Sequence, residues 1–426
     1  MNKAKIKNKE KIEFLLLYSF GFYLIICAFF LNSPGEIFDG MKVILTSSGK
    51  LITDYMEIAN PGAALFNSGL MTILSILLAR FVKSSVSGPL IAAIFIVSGF
   101  SFFGKNIFNT IPITIGVFLY ARFIKMPLKS FLLACLFGSC LGPLVSEIAF
   151  SLGFGGFKAI LIAYIVGIFV GFLIPPLSQS FLRFHQGFCL YNVGFTAGII
   201  GMFIAATLKT FDINIETVNY IYDGSDLYLK IILFISFFIM AVAGFIYTEN
   251  LGESYNNLMK NTGQLVADFL EIYGGRVTLF NMGIMGIISL FFIIIFGGKL
   301  SGPVIGGILT IVGFSAFGKH PKNTIPILLG ARFASNVNIY DKNSASSIMI
   351  MLFATNLAPI AGKYGFVAGL IAGFIHVGVV SNLAFLHGGL NLYNNGFAGG
   401  FVAGALVPIF DSLVLSFRRW KNNARL

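Results

Sequence analysis

Polar and apolar positions fall into long blocks along this chain rather than into a short alternation. Fourteen apolar segments stand out, at about 13–31, 62–80, 88–103, 109–122, 131–147, 157–176, 190–207, 228–247, 277–297, 302–317, 323–334, 346–360, 364–382 and 395–414. A helix rises 1.5 Å per residue, so most of them approach the length that crosses ~30 Å of hydrocarbon. The pattern predicts an all-α polytopic membrane protein. Two pairs are shorter: 88–103 with 109–122, and 302–317 with 323–334. As helices their members reach only ~18–24 Å. They predict either full crossings or two re-entrant hairpins meeting near mid-membrane.

The blocks occur twice. Residues 87–117 align without a gap on 301–331, with 17 of 31 positions identical. Ser87-Gly88-Pro89 returns as Ser301-Gly302-Pro303, and Phe103-Gly104-Lys105 as Phe317-Gly318-Lys319. Asn109-Thr110-Ile111-Pro112-Ile113 returns as Asn323-Thr324-Ile325-Pro326-Ile327. Further on, His185 and Leu190-Tyr191-Asn192 match His387 and Leu392-Tyr393-Asn394. The duplication divides the chain into a first transmembrane repeat, 1–210, and a second, 211–426. Seven segments per half is an odd number, so the halves are expected to be inverted relative to each other. Inverted repeats with short, Gly/Pro-interrupted segments are the pattern of secondary transporters.

Composition agrees with a membrane bundle. Hydrophobic residues make up 57% of the chain, charged residues 11%, and mean hydropathy is +0.88. The net charge of +12 fits the positive-inside bias better than nucleic-acid binding. Lys3, Lys5, Lys7, Lys9 and Lys11 precede the first segment, and Arg418, Arg419, Lys421 and Arg425 follow the last. Both termini are therefore expected in the cytoplasm, with the protein multi-pass in the cell membrane. Cys27, Cys135, Cys140 and Cys189 lack metal-ligand spacing and read as small core residues.

The Phe-Gly-Lys…Asn-Thr-Ile-Pro-Ile motif reads as helix stop, irregular backbone and helix start. Gly104 and Gly318 suit a helix C-terminus, Asn109-Thr110 and Asn323-Thr324 an N-cap, and the prolines a first turn. Irregular backbone at membrane depth is tolerated where protein or a water-filled cavity satisfies it. Free N–H groups with Lys105 or Lys319 beside them would suit an anion or a strong acceptor; the plainer reading is a tight interfacial turn. Tyr191, Asn192, Tyr393 and Asn394 suit a polar uncharged solute, or an aromatic belt with a cap.

The acids offer coupling groups for H+ or Na+. Asp54 with Glu57, and Asp268 with Glu271, are spaced i, i+3 and fall on one face of a helix, either a membrane-surface helix or a coupling site. Glu147 lies in an apolar segment without a duplicate. His185 and His387 read as structural histidines or as proton-linked groups, His376 lies in an apolar segment without a counterpart in the first half, and Asn67 and Asn281 sit inside apolar helices where a buried amide needs partners.

The duplicated Phe-Gly-Lys…Asn-Thr-Ile-Pro-Ile and Leu-Tyr-Asn-x-Gly-Phe motifs resemble those of an uncharacterised bacterial multi-pass membrane family, a domain of unknown function. The resemblance covers most of the chain and implies no substrate or residue roles. The seven-plus-seven plan is similar to the nucleobase and anion transporter architecture. The expected function is a secondary carrier for a small polar or anionic solute, its central site lined by Lys105, Lys319, Asn109 and Asn323. A passive channel is the alternative, and a membrane-embedded enzyme a third. No His-Glu-x-x-His, Gly-x-Ser-x-Gly or P-loop motif is present, so no catalytic residue, metal or cofactor is expected. The expected partners are the solute, a coupling ion and the lipid bilayer, with homo-oligomerisation left open.

Overall fold

Long apolar runs become helices here because a helix satisfies every backbone group within itself, which lipid demands. The computed structural model describes residues 3–215, 218–248, 250–339 and 341–423; Arg425 lies outside them. Among the described residues the chain is all-α, with two isolated bridges, Thr53 with Tyr220 and Asp54 with Phe103, in place of any sheet.

Nine described helices are long and apolar enough to cross a membrane, from Glu10–Leu31 to Asn394–Asn422. The remaining five segments fall on helices of 13 to 17 residues: Gly88–Phe100, Ile107–Phe123, Gly302–Phe314, Pro321–Val337 and Phe366–Ser381. Among the described residues, nine of the fourteen segments thus reach spanning length, and the other five are shorter helices packed among them. Two of the long spans are themselves broken. Leu128–Phe150 is interrupted by a 3-10 turn at Ser139–Leu141, and Ala345–Tyr364 by one at Thr355–Leu357. In each, a proline follows within the next helical turn, Pro143 or Pro359.

Matching helices pack in matching ways. Lys3–Leu31 lies on Pro61–Phe81 as Leu227–Ile246 lies on Gly275–Ile295. Ile107–Phe123 lies on Gly156–Phe184 as Pro321–Val337 lies on Phe366–Ser381. Small residues set these distances. A Cβ on Gly116 would lie 2.1 Å from the Ile168 carbonyl oxygen, and one on Gly330 lies 2.1 Å from that of Leu370.

Two helix pairs join the halves. Gly88–Phe100 packs on Gly302–Phe314, and Asn192–Thr210 on Asn394–Asn423. In the first pair, Gly88 abuts Ala316, Gly302 abuts Phe102, and Gly99 meets Gly306. The helices are thus antiparallel and fully overlapped, each beginning beside the other's broken turn. A 13-residue helix is ~20 Å long, so the two turns lie at opposite ends of the pair. The hairpins do not meet tip to tip at mid-membrane; they pass each other.

Candidate functional site

The broken turns are built on the same plan. Asn67 Nδ2 donates to the carbonyls of Ser101 at 2.7 Å and Lys105 at 2.9 Å; Asn281 Nδ2 donates to those of Ser315 and Lys319, both at 2.8 Å. These buried amides supply the partners that the irregular backbone lacks. Asn109 Nδ2 donates to the Gly104 carbonyl at 2.9 Å and to Ser146 Oγ at 3.0 Å, while its Oδ1 accepts from the Asn106 N–H. Asn323 repeats this with Gly318 and His320. The N-caps are Asn106 and His320, so both helices begin before Asn109-Thr110 and Asn323-Thr324, and Pro112 and Pro326 lie inside them. Thr110 Oγ1 donates to the Asn106 carbonyl, and Thr324 Oγ1 to Asn323 Oδ1. These four side chains spend their hydrogen bonds on holding the turns. Gly104 takes the expected left-handed backbone, φ 85°; at Gly318 it is space that matters, a Cβ there lying 2.9 Å from the Gly263 carbonyl.

Tyr191 and Tyr393 meet at the centre. Their rings are 5.0 Å apart, and both are buried. Glycines make the approach: Gly194 seats Tyr393, and Gly396 seats Tyr191. Each tyrosine also packs on the opposite-numbered motif, Tyr393 on Phe100 at 4.6 Å and Tyr191 on Phe314 at 4.9 Å. The lysines complete a line. Lys105 Nζ lies over Phe100 at 5.6 Å, and Lys319 Nζ over Tyr191 at 4.8 Å and Phe314 at 5.3 Å. Both lysines are fully buried, and among the described residues neither pairs with a carboxylate. The order Lys105, Phe100, Tyr393, Tyr191, Lys319 therefore spans the junction of the two halves. Ring faces favour an ammonium at such positions, by ~2 kcal/mol or more when desolvated.

The structure brings Tyr191 and Tyr393 together, sets Lys105 and Lys319 at the two ends of their line, and separates Asn109 from Asn323. Asn192 and Asn394 each hold a histidine: Asn192 Oδ1 lies 3.0 Å from His185 Nε2, and Asn394 Oδ1 2.9 Å from His387 Nε2. His376 Nε2 meets Asn395 Oδ1 at 3.0 Å. The four cysteines are buried and unbridged.

The acids take other places. Asp54 is not on a helix face; it N-caps Tyr55–Ile58, and it also accepts from the Gly302 N–H at 2.8 Å and the Tyr222 N–H at 3.1 Å. Asp268 caps Phe269–Tyr273 and accepts from the Gly88 N–H at 3.1 Å. Each half thus caps the first central helix of the other, where an anionic acceptor is favourable. Glu57 and Glu271 are exposed. Glu147 is buried against Lys50, with Nζ to Oε1 at 3.0 Å.

Several site residues carry a sequence signal that the main motifs overshadow. Leu136-Phe137-x-Ser139 matches Leu352-Phe353-x-Thr355 at the broken spans. Phe353 packs on Phe100 and Tyr191, Phe137 on Phe314, and Thr355 Oγ1 accepts from Lys319 Nζ at 2.7 Å. A search at an offset of 216 rather than 214 finds this pair.

No curated protein and no solved structure matches the chain. A family described as a protein of unknown function, DUF1576, matches residues 33–210 and 247–412. Both matched segments contain a broken-helix motif and a Leu-Tyr-Asn motif, so the features described above fall within them. The chain belongs to the DUF1576 family of multi-pass membrane proteins of unknown function.

Proposed function

We propose that this protein is a secondary carrier in the cell membrane for a small polar or anionic solute. In this reading the halves are inverted relative to each other and both termini are cytoplasmic. The observation that carries it is the line of Lys105, Phe100, Tyr393, Tyr191 and Lys319, buried where the two halves cross. Buried lysines without a carboxylate partner are costly in a bundle and are kept where a ligand or ion uses them. Two hydroxyls and two ammoniums offer donors to an anion or to a carbonyl-rich polar solute. The antiparallel overlap of Gly88–Phe100 and Gly302–Phe314 supports inversion, since odd-numbered repeats that face opposite ways bring equivalent helices together in that sense. A close-packed aromatic centre favours a carrier that opens alternately over a standing pore.

The reading calls for no catalytic residue. The lysine, tyrosine and asparagine motifs occur in matched pairs, one set per half. The test is flux into proteoliposomes of the purified chain, with labelled organic and inorganic anions and small neutral solutes, each with and without Na+ and H+ gradients. Saturable uptake driven by a gradient and lost in the Lys105→Met, Lys319→Met double variant supports the carrier. Flux linear in concentration and indifferent to gradients supports a channel. No flux of any solute refutes both.

A further inference from the structure

The two halves of the centre are chemically equivalent but are not in the same state. On one side Lys319 is engaged: its Nζ donates to Tyr191 Oη at 2.6 Å and to Thr355 Oγ1 at 2.7 Å. Its counterpart Lys105 has one long contact, 3.4 Å to the Leu136 carbonyl. That is beyond the usual range for an N–H···O bond. The matching hydroxyl of Ser139 donates to the Leu136 carbonyl at 2.7 Å, as Thr355 donates to that of Leu352 at 2.6 Å, but only Thr355 also accepts from its lysine. The matching tyrosine is also free. Tyr393 Oη is buried and has no hydrogen-bond partner, although Phe100 touches both the Tyr393 ring and the Lys105 ammonium.

A buried ammonium with idle donors and a buried hydroxyl with none of its bonds made are each unfavourable. An unmade buried hydrogen bond costs ~1–3 kcal/mol, and an unpaired buried charge more. Such groups persist together where a ligand completes them. The ligand must accept from an ammonium and from a phenolic O–H. One cation faces it, beside the uncharged Phe100 and Tyr393 rings. A single negative charge is therefore balanced, and a second would not be.

We propose that the Lys105–Tyr393 half of the centre binds one small monovalent anion, while the Lys319 half is closed by its own Tyr191 and Thr355 hydroxyls. The proposal rests on the carrier reading for its physiological meaning, and it narrows the solute to a monovalent anion of the size of chloride, nitrate or formate. The site is a half-site: the same groups exist twice, and internal hydrogen bonds occupy one copy.

The experiment is isothermal titration of the full chain in detergent with sodium chloride, nitrate and formate, in a gluconate background, with sulfate as the divalent control. The expected result is one monovalent anion per chain and at least 10-fold weaker sulfate. Lys105→Met and Tyr393→Phe should each weaken binding 10-fold or more. Tyr191→Phe with Thr355→Ala strips Lys319 of its partners and should raise the number of sites from one to two. Each variant is first checked for a single symmetric peak on size exclusion, and Tyr393→Phe removes one oxygen only, so a folded sample is expected. Two sites in the unmodified chain, unchanged binding in both Lys105→Met and Tyr393→Phe, or no binding of any monovalent anion each overturn the proposal. The same preparation is assayed for flux. Uptake of a neutral solute without anion binding overturns this site and leaves the carrier; anion binding with no flux of any solute leaves the site and overturns the carrier.

Discussion

Replacing Asn67 by Leu tests what holds the broken turn. The change keeps side-chain size and removes one amide. Asn67 Nδ2 is the donor to two carbonyls, those of Ser101 and Lys105, in a segment whose side chains are buried. Each buried acceptor left unpaired costs ~1–3 kcal/mol, so two set a floor of ~2 kcal/mol for loosening the turn. At ~1.4 kcal/mol per tenfold, that is a rise of ~30-fold in the local opening equilibrium. The readout is hydrogen–deuterium exchange of the amides of residues 101–105, of which Ser101, Phe102, Phe103 and Lys105 bond back to the end of the preceding helix, Lys105 to Phe100 and Ser101 to Val97. Ser68→Ala is the control on the same helix. It removes a hydroxyl that bonds Ser98, within the helix rather than the turn, and should leave 102–105 unchanged. Asn281→Leu should act in the same way on 315–319. Exchange at 101–105 within threefold of the unmodified chain in Asn67→Leu would refute the reasoning, because it would mean that the carbonyls find other partners at no cost.

Three further outcomes follow from the packing. Gly116→Val and Gly330→Val place side-chain atoms against carbonyl oxygens 2.1 Å from the Cβ position, so each should destabilise by ~3 kcal/mol or more and lower the monodisperse yield on size exclusion. Lys50→Met should cost ~3–5 kcal/mol by leaving Glu147 buried and unpaired, whereas Lys50→Met with Glu147→Gln should recover most of the loss in a thermal-melting cycle. Asp54→Ala and Asp268→Ala each remove a cap shared between the halves and should cost ~0.5–2 kcal/mol in melting, with faster amide exchange at the start of the opposite half's helix, Gly302 or Gly88.

The membrane class, the helical segments and the duplication were legible in the sequence. Run length and residue identity at a fixed offset are local properties of a chain, and lipid leaves an apolar run few alternatives to a helix. The stop-and-start character of the Phe-Gly-Lys motif was legible for the same reason, since glycine permits the left-handed backbone that Gly104 takes, although its counterpart Gly318 ends its helix without it. The start of the following helix was not. Asn109 looks like a cap, but Asn106 stands three residues before it and completes a reciprocal capping box with it, which is the stronger arrangement. In the same way the i, i+3 spacing of Asp54 and Glu57 suggests a helix face, yet the short extended approach through Thr53 turns Asp54 into a cap for both its own helix and that of the other half.

By itself the sequence determined that this is a twofold-repeated helical membrane protein with lysine, tyrosine and asparagine motifs in matched positions. Only the tertiary structure decided which of those motifs meet. Tyr191 and Tyr393 touch because Gly194 and Gly396 let two helices from different halves cross closely, and Asn109 and Asn323 stay apart because the central helices overlap side by side. The structure also decided that Lys319 is engaged and Lys105 is not. Matching residues can predict equivalent surroundings, but partners within a shared centre depend on how both halves pack against each other at once, and that is not a property of either half alone.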